Sequence, residues 1–249
     1  MNELALFAGI GGGILGTQLL GHKCVCAVEF DPHAQSVLLA RQNDGYLPPF
    51  PIWDDIRTFD GKPWRGIADI VSGGFPCQDI SVAGKQKGIT GERSGLWREM
   101  SRVIGEVQPK IVFIENSPQL IRLGLSEVLS DLAEMGYDAE WGCIGANEVG
   151  YRHKRDRAWI MAYSKKNESG EQTEREGGED TFGRSSDFSW DEAKRRIQKD
   201  WDPIESSVGR VANGVPDRLE RLARIGNAQV PAVARLAFEL LHERITQAS

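Results

Sequence analysis

Leu4-Ala5-Leu6-Phe7 runs straight into a glycine-rich turn at 9–13, and that turn opens a helical pattern reaching about Leu20. An apolar strand, a glycine turn and a helix in that order begin a βαβ unit, a start that few folds accommodate. The next apolar run, Cys24-Val25-Cys26-Ala27-Val28, ends at Glu29 and predicts a second strand. A helix is predicted from Pro32 to Asn43, with proline in the first turn, where its missing N–H costs nothing. Strands are predicted at 68–72 and 110–114, bracketing a helix whose Leu96, Met100, Val103, Ile104 and Val107 keep helical spacing. A helix with Ile121, Leu125, Val128, Leu129 and Leu132 precedes strands near 138–146 and 157–162. The last helix carries Val233, Leu236, Ala237, Leu240, Leu241 and Ile245 on one face. Near-continuous apolar strands alternating with helices predict an α/β fold built on a doubly wound, mostly parallel sheet.

Ligands of such sheets bind at the carboxyl ends of the strands. The glycine turn, Glu29, Cys77 and Glu115 all fall at predicted strand ends. Cys77 stands in Gly73-Gly74-Phe75-Pro76-Cys77-Gln78 directly after the apolar Ile70-Val71, and Glu115-Asn116 ends the run Ile111 to Ile114. A thiol and a carboxylate at neighbouring strand ends face one crevice, as a nucleophile and a proton donor.

The 249 residues, 40% of them hydrophobic, suit one domain with an insertion or two small domains. Met1-Asn2-Glu3 begins no basic, apolar leader, and no run reaches the length of a membrane span, so neither a secretory signal nor a membrane anchor is expected. Four cysteines without framework spacing point to a reducing compartment, where a thiol can remain a working nucleophile. Cys24-Val25-Cys26 has metal-like spacing but no second Cys or His pair, so it reads as buried strand and no metal is expected.

The net charge of −6 argues mildly against nucleic acid, but the charges cluster. Residues 167–192 hold nine acidic groups against two arginines in a Gly/Ser-rich setting, which reads as a mobile, solvated insertion. Arg152 to Lys166 carries six basic residues against Asp156, and Lys194, Arg195, Arg196, Lys199, Arg210, Arg218, Arg221 and Arg224 follow the acidic stretch. These basic groups suit phosphate contacts or solvated helix surfaces about equally.

Gly11, Gly13 and Gly16 satisfy G-x-G-x-x-G, with Glu29 about where a ribose-binding acid belongs. That unit alone fits a nicotinamide enzyme as well as one using S-adenosylmethionine. The rest of the crevice discriminates. In order along the chain, Phe7-Ala8-Gly9-Ile10-Gly11-Gly12, Glu29-Phe30, Asp55-Ile56, Gly73 to Gln78, Glu115-Asn116, Arg155-x-Arg157 and Gly226-Asn227-Ala228-Gln229-Val230-Pro231 resemble the motifs of the DNA cytosine-5 methyltransferase family. The resemblance covers about 1–163 and 208–245. It implies a Rossmann-like catalytic domain from 1–163 and 208–249, with a target-recognition segment at 164–207 that is reduced compared with most members.

The resemblance also implies roles. Phe7 to Gly12 would wrap the methionine part of S-adenosylmethionine, Glu29 the ribose, and Phe30, Asp55 and Ile56 the adenine, with Pro76, Leu96, Asn227 and Ala228 completing the site. Cys77 would attack carbon 6 of a cytosine flipped out of duplex DNA, and Glu115 would protonate ring N3, with Arg155 and Arg157 holding Glu115 and the base. Gln78, Ser81, Lys85, Asn116 and Arg210 would contact DNA, and the glycine-rich loop 79–96 would close over the base. A monomer is the default. The sequence departs from the family at Ala5, commonly polar; at Gly13, commonly aromatic; at Ser117, commonly valine; and at His153, commonly glutamine. Rival readings are a nicotinamide oxidoreductase, which leaves Pro76-Cys77 with Glu115 unexplained, a catalytically silent nucleic-acid-binding homologue, and an RNA methylase of the same family.

Overall fold

The computed structural model describes residues 1–76, 95–164, 189–199 and 228–248. Side-chain alternation along the strands creates its two apolar faces. In β5 (Ile111–Asn116), Val112 and Ile114 point to one side, while Ile111 and Phe113 point to the other. The same alternation in β4 (Ile70–Gly73) sends Val71 with the first pair and Ile70 with the second. Strands apolar on both faces must be covered on both, and helices do so.

One face is closed by α3 (Gly95–Val107) and α5 (Leu125–Glu134). Trp97, Met100, Val103, Ile104 and Val107 of α3 and Val128, Leu129 and Leu132 of α5 form its core. Trp97 is fully buried, and its indole N–H donates to Asp131 at 2.7 Å, tying the two helices together. The other face is covered by α7 (Pro231–Ala248) through Val233, Leu236, Ala237, Leu240 and Leu241, joined by Ala193 of α6 (Trp190–Lys199). α6 lies within the stretch expected to serve recognition, yet Ala193 shares this core and Lys194 donates to Glu148 at 3.0 Å.

The sheet has seven strands in the order β3-β2-β1-β4-β5-β7-β6, with β1 Asn2–Leu6, β2 Lys23–Val28, β3 Ile52–Trp53, β6 Tyr137–Ile144 and β7 Arg157–Ser164. β1 pairs in parallel with both β2 and β4, so the order reverses between β1 and β4. A doubly wound sheet opens its ligand crevice at such a switch point. Only β7 runs against the others, pairing antiparallel with β5 and with β6. The expected mostly parallel sheet is observed.

Local chemistry accounts for most boundaries. α2 (Pro32–Asn43) starts where Asp31 accepts from the His33 N–H at 3.1 Å and proline occupies the first turn. The single helix expected through Ile121 and Leu132 is interrupted at Gly124, giving the one-turn α4 (Leu120–Leu123) before α5. α1 (Gly12–Gln18) begins at Gly11, whose φ of 89° a side chain would disfavour.

Glu3 of β1 is 1% exposed, and its carboxylate accepts from the Thr17 hydroxyl of α1 and the Ser72 hydroxyl of β4. Ala5, the position where the family commonly has a polar group, lies two residues further along the same strand. Burial pushes the Glu3 carboxyl from 4.5 up to about 7, the two hydroxyl donors offsetting only part of the effect. Because the folded state holds this proton more tightly than the unfolded chain does, stability is full at acid pH and falls as pH rises towards about 7. Glu3→Gln should therefore gain stability relative to wild type between pH 5 and pH 8, by at most roughly 3 kcal/mol, since both hydroxyls can also accept. Thermal unfolding at the two pH values is the check; an unchanged difference would show that Glu3 does not titrate in this window.

Candidate active site

The carboxyl ends of β1, β4 and β5 frame one cleft. Its walls are Leu6 to Ile10, Gly12 and Gly13 after β1, Ser72 to Gly74 at β4, Glu115 at β5, and Ala228 and Gln229 ahead of α7. Phe7, at φ 51°, and Gly9, at φ 54°, both adopt the left-handed region, which turns the chain sharply out of β1. A Cβ on Gly9 would meet no atom within 4 Å, so the turn leaves open space there. The Gly9 N–H donates to Glu29 at 2.6 Å, and the other Glu29 oxygen accepts from the Asp31 N–H at 2.8 Å. One carboxylate thus clamps the turn after β1 to the start of α2.

The glycines beyond Gly11 answer to the C-terminal segment as well as to the cleft. A Cβ on Gly12 would collide with the Gln229 carbonyl oxygen, and one on Gly13 with the Gln229 side-chain oxygen. At Gly16 it would come within 2.7 Å of Ala234 and 2.8 Å of the Pro231 carbonyl. This close approach of α1 and α7, invisible in the motif alone, explains the third glycine of the G-x-G-x-x-G pattern.

Further out, Phe30 is 67% exposed beyond the end of β2, with the Arg57 guanidinium 5.6 Å from its ring centre. Arg57 also grips Asp55 in a fork, Nε to Oδ1 at 2.9 Å and Nη2 to Oδ2 at 2.7 Å, which holds the Asp55 carboxyl below its ordinary value. The Ile56 side chain is buried in the core, and its carbonyl accepts from Arg102 of α3 at 2.7 Å. Arg102 reaches the Phe59 carbonyl as well, at 3.0 Å, and pairs with Glu106, whose carboxylate accepts from the Gly61 N–H. The loop carrying Asp55 is thereby fastened to α3.

Glu115 emerges at the end of β5, 12% exposed, with Arg157 Nε 2.8 Å from its Oε1. The Gln229 side-chain amide lies close by, across Gly74, and favours the ionised carboxylate. Burial raises the Glu115 carboxyl above its ordinary value even against the opposing influence of Arg157, Arg155 and Gln229. Arg155, held at φ 41°, spends its Nη2 on the Ala228 carbonyl at 2.6 Å, so one arginine of the pair grips the carboxylate and the other grips the returning segment.

Asn116 is buried, with Nδ2 donating to the Phe75 carbonyl at 3.1 Å and Oδ1 accepting from the Ser117 N–H at 2.7 Å. Its amide ties the exit of β4 to the exit of β5, although sequence reasoning placed it among the DNA contacts. Gly74, between the two exits, has no room for a side chain: a Cβ would stand 2.8 Å from Glu115 Oε2 and 3.4 Å from Gln229 Nε2. Pro76 is exposed at the end of this exit, and Leu96 is partly buried in the first turn of α3, outside the cleft walls. Cys77, Gln78, Ser81, Lys85, Arg210 and Asn227 lie outside the described residues, as do most of the loop 79–96 and the acidic stretch.

Of the expected site residues, the structure gathers Phe7 to Ile10, Gly12, Glu115 and Ala228 around one cleft, with Glu29, Arg155 and Arg157 bonded to its walls. Sequence reasoning assigned no role to Gln229. Its sequence signal was faint: it stands in the C-terminal motif, but only the fold brings it to Gly12, Gly13 and Glu115. Among the described thiols, Cys143 is exposed and Cys24 and Cys26 are buried. Burial lifts the Cys26 thiol to about 12 and raises Cys24 as well, leaving both inert within β2. Among the described residues there is no cluster of side chains able to hold a metal, and no helix long and apolar enough to cross a membrane.

The chain is similar to the type II methyltransferase M2.BsuMI of Bacillus subtilis (strain 168), 35% identical over 170 residues, covering 65% of this chain and 42% of that protein. It is also similar to M.CviJI of Paramecium bursaria Chlorella virus IL3A, 30% identical over 94% of this chain and 58% of that one. M.HhaI of Haemophilus parahaemolyticus is 33% identical over 64% of this chain and 47% of its own length. The chain therefore spans about half the length of these relatives. Among solved structures, the Entamoeba histolytica methyltransferase EhMeth (18% identical, TM-score 0.55, covering 66% of this chain and 52% of that one) shares the fold. So does the S. pombe Dnmt2 methyltransferase (22% identical, TM-score 0.52, covering 72% and 56%). The family model described as C-5 cytosine-specific DNA methylase matches residues 1–232, and with that match the chain belongs to the C-5 cytosine-specific DNA methylase family.

Proposed function

We propose that this chain transfers a methyl group from S-adenosylmethionine to carbon 5 of a cytosine flipped out of duplex DNA, within a short specific sequence. The observation that carries the reading is Glu115: a buried carboxyl of raised pKa, paired with Arg157, stands where the exit of β4 leads into Pro76-Cys77. Family membership supports the same reaction.

The cleft suits an adenosyl cofactor. Gly9 leaves open space at the turn, Glu29 presents a carboxylate at the end of β2, and Phe30 offers an exposed ring beside the ion-paired Asp55. Phe7 to Gly12 would hold the methionine part, Glu29 the ribose, and Phe30, Asp55 and Ile56 the adenine, with Pro76, Leu96, Asn227 and Ala228 completing the wall. When bound, S-adenosylmethionine supplies an electrophilic methyl group on a sulfonium sulfur.

Cytosine carbon 5 is a poor nucleophile until the ring loses its aromaticity. The Cys77 thiolate adds to carbon 6, and Glu115 gives its proton to ring N3, so the displaced electron pair becomes available at carbon 5. After methylation, loss of the carbon 5 proton to a base expels the Cys77 thiolate, N3 returns its proton to Glu115, and the ring is restored. A free thiol of pKa about 8.5 is only slightly ionised at neutral pH, so Cys77 needs a lowered pKa in the closed complex. Burial raises the Glu115 carboxyl above its ordinary value, which favours the protonated form, and Arg157 aims the carboxyl. Extruding the base costs a few kcal/mol of pairing and stacking, to be recovered in the pocket.

Residues 1–163 and 208–249 form the catalytic domain in this reading, and 164–207 the reduced recognition segment. Gln78, Ser81, Lys85, Asn116 and Arg210 contribute to DNA binding, Asn116 by holding the Phe75 carbonyl. The enzyme acts as a monomer on DNA in a bacterial or phage-infected cytoplasm, in restriction–modification or as a stand-alone modification enzyme.

Purified protein incubated with radiolabelled S-adenosylmethionine and mixed-sequence duplex DNA should place label at cytosine carbon 5 within one short context, located by base-resolved mapping. Label in RNA alone would transfer the reaction to another substrate. Cys77→Ser should retain cofactor binding and lose methyl transfer by orders of magnitude; substantial turnover would rule out the covalent route. Glu115→Gln should lower single-turnover methylation by roughly 10²–10⁴-fold, the effect of removing a positioned proton donor. A near-normal rate would remove Glu115 from the chemistry.

A further inference from the structure

We propose that Gln229 is a positioning residue for Glu115, its side-chain amide bridging the turn after β1 and the proton donor at the end of β5. The inference rests on the assignment of Glu115 as the acid in cytosine methylation and deepens it.

Three neighbours locate the Gln229 carboxamide. Its oxygen occupies the space that a side chain on Gly13 would need, and its nitrogen lies beside Gly74 on the side where Glu115 Oε2 also stands, from where the amide favours the ionised carboxylate. The backbone is held just as closely. The Gln229 carbonyl packs against Gly12, and Arg155 binds the preceding Ala228 carbonyl at 2.6 Å. With its backbone held at both ends, the partly buried Gln229 presents its carboxamide to the cleft between Gly13 and Glu115. Arg157 occupies Glu115 Oε1 at 2.8 Å, and the two donors together orient the carboxyl plane. A cation alone could hold the carboxylate. A neutral donor added to it restrains the group while leaving its proton less tightly bound than burial alone would make it.

Gln229 also links two parts of the cleft. Gly12 and Gly13 belong to the turn that would hold the cofactor, and the same glutamine touches both and the acid. Displacement of that turn would be transmitted to Glu115 through one side chain.

The test replaces the amide with an unbranched apolar side chain of similar length. Glu115 can be followed directly by carbon-detected NMR titration of the carboxyl groups in protein labelled with ¹³C-glutamate, with Glu115→Gln to assign the resonance. In Gln229→Met the Glu115 midpoint should rise, because a donor to the ionised form is gone. Affinity for S-adenosylhomocysteine, measured by calorimetry, should stay within about threefold, while single-turnover methylation falls roughly 10- to 100-fold, the scale of one lost hydrogen bond to a charged group. The alkaline limb of the rate profile should move to higher pH along with the NMR midpoint. Gln229→Leu removes the same N–H and serves if methionine disturbs folding.

An unchanged Glu115 midpoint in a folded variant would overturn the proposal. So would a parallel collapse of S-adenosylhomocysteine affinity and thermal stability, which marks a packing role for the segment. If wild-type protein methylates no cytosine, the catalytic reading beneath the proposal fails, and the NMR titration still decides whether Gln229 holds Glu115.

Discussion

The site depends on how closely the chain approaches itself where residues 228–231 return to the start of the fold. Gly12, Gly13 and Gly16 each present a bare α carbon to this segment, and a methyl group at Gly12 or Gly16 would run into its backbone while one at Gly13 would displace the Gln229 side chain. The approach brings Ala228 within reach of Arg155 and Gln229 within reach of Glu115. It also sets the first residues of α7 against α1, from which α7 continues across the sheet and closes one apolar face. Core packing and site assembly therefore share one contact, and a defect there would register in stability and in chemistry together.

Two buried carboxylates illustrate how differently one residue type is handled. Glu3 lies among neutral hydroxyls, and its proton is held to about 7. Glu115 is almost as enclosed but has Arg157 in contact and Arg155 nearby, so burial and the cations oppose each other. The first arrangement fastens β1, α1 and β4 together. The second sets burial against two cations around one carboxyl at the rim of the cleft.

Much of this was legible from the sequence because it is local. Asp31 and Pro32 mark the start of α2, and the apolar runs at Ile70-Val71 and Ile111 to Ile114 could only be buried strands. The strand-end position of Glu115 followed from the same pattern. Features created by tertiary contact were not legible. β3 is two residues long, too short for periodicity to register, and Gly124 divides a stretch whose apolar spacing suggests one helix. The glycines at 12, 13 and 16 looked like a ligand-binding turn, and their second role in admitting the C-terminal segment required knowing what packs on them. Asn116 looked like a substrate contact because it follows Glu115, and only the fold shows its amide engaged with Phe75 and Ser117.

The reversed direction of β7 has a consequence for the path of the chain. Because β7 is antiparallel to β5, its first residues stand beside the last residues of β5, with Arg157 and Ala158 level with the end that carries Glu115. A parallel strand in that slot would have delivered its opening arginines to the opposite rim. The same reversal makes β7 finish at Ser164 near Ile111, at the rim away from the cleft. The polypeptide must then climb the height of the sheet again to reach Ala228, a span that roughly eight extended residues could cover. Far more than that number separate the two points in the sequence. The surplus is length that the return to Ala228 does not require, and part of it is spent on α6, which adds Ala193 to the core under α7.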